Sequence, residues 1–272
     1  MRASSVRTLT AMVAAVDKGL GAKSKDGITV AEEYFALSEL FEGNIRLSRN
    51  LSDPARTASE KQALAEELLG KQLSSKAMSG IKEMAAGRWS SEQDLSEACR
   101  MLAKHVLLKT ALDTGQLDEV ERDIFAMGQV IAKHRELRNF LTDSHRAPVE
   151  KRLETFNSLV GKGVNALALR LMDAVIEKAL PGRLASDIRA LLDSAAQIRS
   201  HGMATVFTAV ELTDTQQSRL IALLSKQAGH DVEVNVVVDP DIVGGLKVQY
   251  GDTVMDGALT TRATEIKRKL AS

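Results

Sequence analysis

The chain holds a single cysteine, Cys99, among 272 residues, so no internal disulfide can form. That usage suits a reducing compartment, and Cys99, lying in a helical pattern beside Met101 and Leu102, reads as a buried, inert thiol. Aromatic residues make up only 3% of the chain, too few for base-stacking platforms. Neither sign of charge is in excess: 36 lysines and arginines balance 36 aspartates and glutamates. No global field therefore draws the chain to nucleic acid or to an anionic membrane. No apolar run approaches the roughly 18 residues of a membrane span. The N-terminus carries Arg2, Arg7, Asp17 and Lys18 and lacks the apolar core of a signal peptide. The expectation is a protein with no direct membrane span and no nucleic-acid partner.

The machinery of catalysis is equally scarce. A phosphate-binding loop needs Gly-x4-Gly-Lys-Ser/Thr, but around Gly161-Lys162-Gly163 the first glycine is replaced by Phe156 and the hydroxyl is missing. The five histidines, at 105, 134, 145, 201 and 230, show no i, i+4 pair of the kind that holds a metal on a helix. The expectation is no catalytic residue, no cofactor and no metal. Trp89, the only tryptophan, precedes a Ser-Ser turn and reads as packing at the end of a helical bundle.

What is abundant is helical pattern. Up to about Ser200, apolar residues recur three and four apart: Tyr34, Leu37, Leu40, Phe41 and Ile45 form one stripe, and Ile124, Met127, Val130 and Ile131 another. Proline occurs at positions 54, 148, 181 and 240, each at a plausible element boundary. Sliding the chain by ninety residues pairs Val30 with Val120, Phe35 with Phe125, Leu47 with Leu137, Asp53 with Asp143 and Lys61 with Lys151, without a gap. A repeat of this length implies two copies of a helical bundle rather than a solenoid. Phe35 and Phe125 should then hold equivalent core positions. From Ser90 a helical pattern runs without a breaker to about Asp113, so the expectation is that the last helix of one copy continues into the first of the next, the alternative being two short helices with a kink near Lys104 to Val106.

The last seventy residues change character. Ala204 to Val210 reads as a strand, and Thr213 with Gln216 as a capping box opening a helix. Alternating Val232, Val234, Val236 and Val238 form a second strand, followed by Asp239-Pro240-Asp241, Gly244-Gly245 and the strand 246–250. The tight segment from Gly251 and Asp252 to Asp256 and Gly257 leads to a closing helix, 261–270. Asp239, Gly244, Gly245, Gly251, Asp252, Asp256 and Gly257 read as turn residues, aspartate capping backbone and glycine allowing positive φ. The fold class is α+β: tandem helical bundles over 1–92 and 93–200, then a small α/β domain over 201–272.

This order of strand, turn, diglycine, strand, hairpin and basic helix resembles the C-terminal part of the delta (OSCP) subunit of the F-type ATP synthase. The resemblance extends to Leu117-Asp118-Glu119-Val120 and to 136–141, Glu-Leu-Arg-Asn-Phe-Leu, in the second copy. The first copy departs from it, with Asp26-Gly27-Ile28-Thr29 and with Arg-Leu-Ser-Arg-Asn-Leu at 46–51. The chain thus looks like such a subunit with one extra bundle at its front.

The resemblance implies a non-catalytic stator linking the catalytic head to the membrane sector and resisting rotor torque. A bundle would grip N-terminal segments of the alpha subunits, and the C-terminal domain would join the b-type stalk subunit at the cytoplasmic face of the cell membrane. In the family, the groove lies between the first and fifth helices of the bundle before the C-terminal domain. Here that implies Leu107, Leu108, Ala111 and Leu112 on one helix and Leu167, Leu171 and Val175 on the other. Arg262 and Lys267 of the basic closing helix become candidate contacts with an acidic stalk stretch. The alternative is a helical adaptor of an unrelated complex, which would keep the bundles and lose the meaning of the tail.

Overall fold

A computed structural model describes residues 1–21, 26–160, 163–201, 203–228, 232–239, 245–250 and 253–256. They divide into two compact units, Met1–Ser194 and Ala195–Ser272. The first unit is helical throughout: α1 (Ala3–Leu20), α2 (Gly27–Gly43), α3 (Ile45–Ser52), α4 (Ala58–Leu69), α5 (Ser75–Ala86), α6 (Gln93–Asp113), α7 (Leu117–Lys133), α8 (Arg135–Thr142), α9 (Val149–Val160), α10 (Ala166–Glu177) and the start of α11 (Leu184–His201). Short polar side chains set the starts. Thr57 and Glu60 form a reciprocal capping box at α4, and Asn44, Ser74 and Asn165 accept from the first-turn amides of α3, α5 and α10.

The ninety-residue offset is visible in these bounds. α7 and α8 begin and end ninety residues after α2 and α3, while α9 and α10 follow α4 and α5 with one residue more. The order of helices is the same in both halves. α6 serves both, as the sixth helix of the first copy and the first of the second, and it runs unbroken through its 21 residues. Its central stretch is buried on every side: Leu102, Ala103, Val106, Leu107, Leu108, Lys109, Thr110 and Ala111 all lie in the interior. A helix enclosed all round must be apolar all round or satisfy its polar groups internally. Accordingly Thr110 donates to the Val106 carbonyl at 2.7 Å, and Lys109 pairs with Asp113 at 3.4 Å.

α2 lies along α6. Gly27 permits the approach, because a Cβ there would fall 2.0 Å from Thr110 Oγ1. α1 packs on α5, and Asp17 of α1 faces His105 Nε2 of α6 at 3.1 Å. The first-copy core centres on Tyr34, whose hydroxyl donates to the Ala77 carbonyl at 2.6 Å, and on Cys99, whose thiol burial pushes far above its ordinary range. Trp89 closes that end, its indole N–H donating to the Met84 carbonyl at 2.9 Å.

The repeat holds in register but not in every burial. The stripe Gly27, Val30, Tyr34, Leu37 and Phe41 of α2 is matched by buried Leu117, Val120, Ile124, Met127 and Ile131 of α7. α2 buries a second stripe, Ala31, Phe35 and Ser38, that α7 does not. Phe35 is 7% exposed and Phe125 57%. The expectation of two equivalent core phenylalanines is therefore corrected: the positions match, but the Phe35 ring is covered by the Arg170 side chain while Phe125 is left exposed.

The second unit carries a four-stranded mixed sheet in the order β2-β1-β3-β4, from β1 (Met203–Thr208), β2 (Glu233–Val238), β3 (Leu246–Tyr250) and β4 (Thr253–Asp256). β1 pairs parallel to β2 and antiparallel to β3, and β3 antiparallel to β4. The parallel pair needs a crossover, which α12 (Asp214–Ala228) supplies. Its capping box is formed as read from sequence: Thr213 N donates to Gln216 Oε1 at 2.9 Å, and Gln216 N to Thr213 Oγ1 at 3.4 Å. Ala204, Val206, Leu224, Val232 and Val248 make the core of this unit.

Candidate docking surfaces

The seven residues expected to line a groove between α6 and α10 lie mostly inside. Leu107, Leu108, Ala111 and Leu171 are fully buried, Leu167 and Val175 nearly so, and Leu112 is half-buried. α2 runs along α6 and reaches α10 through long side chains. Arg170 of α10 donates from Nε to Glu32 Oε1 at 2.7 Å and from Nη2 to Glu32 Oε2 at 3.0 Å, the bidentate geometry in which arginine pairs most strongly with carboxylate. The same guanidinium lies 4.0 Å from the centroid of the Phe35 ring. At the other end of α2, Glu42 binds Arg100 of α6 and Lys178 just past α10, while Arg100 also donates to Ser38 Oγ at 3.0 Å. Burial would raise the Glu42 carboxyl, but the hydrogen bond from Lys178 and the charges of Arg100 and Lys178 outweigh it and hold it below the usual carboxylate range. Acidic residues of α2 thus meet basic residues of α6 and α10.

α10 also carries a less settled group. Burial pushes the Asp173 carboxyl above its ordinary range, against the opposing pull of Asn157 and Arg170. Asn157 Nδ2 donates to Asp173 Oδ2 at 3.4 Å, and the remaining oxygens, Asp173 Oδ1 and Asn157 Oδ1, are buried without a partner among the described residues.

An open apolar surface lies elsewhere on the second copy. Between α7, α8 and α9 a cleft of about 180 Å³ is lined by Ala126, Met127, Val130, Leu137, Phe156 and Leu159, with Asp123 at its edge. Val130 is 47% exposed and Leu159 62%, large for valine and leucine side chains that burial would stabilise. Asp123 is already engaged, accepting from the Asn165 amide at 2.7 Å. The positions equivalent to Val130 and Leu159 in the first copy, Leu40 and Leu68, are exposed as well. This surface was not singled out in the sequence, although its cue was present: Val130 continues an apolar stripe one step wider than a single buried face requires.

Of the expected turn residues, Asp239 donates its backbone N–H to the Thr208 carbonyl at 2.8 Å, Gly245 adopts φ +89°, and Asp256 ends β4 opposite Lys247. Gly244, Gly251, Asp252 and Gly257, with Arg262, Lys267 and the closing helix, lie outside the described residues. Among the described residues no group of three or more histidine, cysteine or acidic side chains could hold a metal, and no helix is long and apolar enough to cross a membrane.

Comparison with known proteins gives a consistent picture. The family described as ATP synthase delta (OSCP) subunit matches residues 105–270. The ATP synthase subunit delta of Streptomyces coelicolor is 34% identical over 272 residues, covering 100% of this chain and 99% of that one. Its counterpart from Streptomyces avermitilis is 35% identical, over 92% of this chain and 91% of that one. Among solved structures, a chain of the Toxoplasma gondii mitochondrial ATP synthase hexamer aligns over 62% of this chain and 95% of that one, at 18% identity and a TM-score of 0.32, too loose a superposition to bear on the fold.

Proposed function

The chain belongs to the ATP synthase delta (OSCP) subunit family, and from that membership we propose that it is the stator element tying the catalytic head to the b-type stalk. It is a structural subunit of the peripheral stalk, working within the ATP synthase assembly. On this reading it has no catalytic residues of its own, sits at the cytoplasmic face of the cell membrane without spanning it, and resists the torque of the rotor. The observation that carries the reading is the match of the second bundle and the C-terminal unit together to one family, with relatives that extend over the first bundle too. An unrelated adaptor would share the bundles alone.

The alpha subunits and the b-type subunit are the partners of this proposal. The family's groove between first and fifth helices corresponds to α6 and α10, whose apolar side chains are buried with α2 beside them. Those seven residues serve, in our reading, as interior packing of the helical unit rather than as an open groove. The helical segment of the head docks instead in the cleft bordered by Val130 and Leu159, an amphipathic helix laid into an apolar groove. Resistance to torque calls for slow dissociation, so affinity near nanomolar, about −12 kcal/mol, is the appropriate scale. The reading is tested by purifying a tagged chain from membranes. Recovery of alpha and b-type subunits at near-equal yield supports it, and their absence under conditions that keep the synthase intact removes it.

A further inference from the structure

The first copy displays how the second helix of a repeat receives a neighbour, and the second copy leaves the same face open. On α2, Phe35 lies under Arg170 and Glu32 clasps that arginine. Ninety residues later the ring is kept as Phe125 while the adjoining charge is reversed, Arg122 standing in the place of Glu32. Phe125 is 57% exposed, Arg122 is exposed, and Arg122 makes no ion pair or side-chain hydrogen bond with a described residue. One contact joins α7 to α11 nearby: a Cβ on Gly128 would lie 3.2 Å from Ile188 Cγ2.

We propose that the α7 face bearing Phe125 and Arg122 is a docking surface for a partner helix that carries a carboxylate opposite Arg122, the two helices meeting through long side chains as Arg170 of α10 meets Glu32 and Phe35 of α2. The ring supplies an apolar platform whose burial removes a large exposed area from water. The guanidinium fixes orientation, since it pairs bidentately with a carboxylate and is repelled by a cation. A second copy of this chain is the wrong occupant, because its α10 would bring Arg170 against Arg122. The occupant is an amphipathic helix with glutamate or aspartate where α10 has arginine. This inference rests on the reading of the chain as a connecting subunit, which supplies partner helices. It concerns a different side of α7 from the one that borders the cleft.

The test uses the full chain and two labelled synthetic peptides of residues 166–180, one unaltered and one carrying Arg170→Glu, with binding followed by fluorescence anisotropy. The chain binds the glutamate peptide about tenfold more tightly than the arginine peptide, and Arg122→Glu in the chain reverses that preference. Phe125→Ala weakens the glutamate peptide without changing helical circular dichroism. Equal binding of the two peptides, or a preference that Arg122→Glu leaves untouched, overturns the proposal. Recovery of the Arg122→Glu chain with synthase subunits is scored separately. If the unaltered chain co-purifies and the charge swap does nothing to the peptides, this surface is wrong and the connecting role stands. If the unaltered chain does not co-purify, the connecting role itself falls.

Discussion

Arg170 holds Phe35 beneath its guanidinium at 4.0 Å from the ring centroid, and so joins the fifth helix of the second copy to the second helix of the first. The contact explains why two phenylalanines in matching positions have opposite surroundings. It also makes an asymmetric prediction. Phe35→Ala removes a buried ring and should cost about 3–5 kcal/mol, whereas Phe125→Ala should change stability by no more than about 0.5 kcal/mol. Urea unfolding of the two variants measures both. Similar losses would mean that the two copies pack alike after all.

The clasp itself is half-exposed. Arg170 and Glu32 side chains are 25% and 47% accessible, so their pairing is screened and worth at most about 1 kcal/mol. The stacking on Phe35 adds about as much again. Arg170→Ala should therefore cost about 1–2 kcal/mol, and Arg170→Lys should recover only part of it, lacking the planar fork. Full rescue by lysine in the same unfolding assay would show that charge alone matters.

These cases show what was legible in the chain. The helices, their ninety-residue offset and the Thr213–Gln216 cap rest on local spacing and were readable. The second buried stripe of α2 was not. Ala31 and Ser38 are small residues that suit either a surface or a close contact, and only the approach of α6 buries them. Lys109 and Thr110 point the same way, since their polarity suggests solvent although they are enclosed. Leu108 and Leu171 give one apolar pattern whether they face a partner, a core or a helix of their own chain. What covers a face is decided by distant sequence, and Phe35 and Phe125 differ in that alone.

Leu171 and Leu159 separate core from docking surface. Leu171 is fully buried, so Leu171→Glu places an unpaired charge in the interior and should unfold the helical unit. Leu159 is 62% exposed, so Leu159→Glu should leave helical circular dichroism intact while weakening an alpha-subunit N-terminal peptide by at least tenfold. A folded Leu171→Glu chain, or undiminished peptide binding by Leu159→Glu, would contradict the assignment.

Asp173 gives a pH signature. Its carboxyl is raised in the folded chain, first by burial, so the folded state holds the proton more tightly than the unfolded one. The stability tied to that proton is full below the ordinary aspartate value, about 3.9, and is lost as pH rises through the raised folded value. Asp173→Asn supplies a permanent donor toward the unpartnered Asn157 Oδ1, and satisfying such a buried acceptor is worth about 1 kcal/mol. The variant should match the original chain in acid and exceed it in stability as pH rises toward neutrality, by urea midpoints across pH. A variant that is weaker at every pH would mean that the ionised carboxylate, paired with Arg170, is the stabilising form.

The central claim is that this chain couples the head to the membrane sector, and proton pumping tests it most directly. Membranes containing a chain shortened to residues 1–202 keep the helical unit and lose the sheet of the second unit. Their ATP hydrolysis should persist while ATP-driven proton pumping, followed by quenching of a pH-sensitive dye, falls to background. Pumping that survives at the level of the full chain would contradict the account.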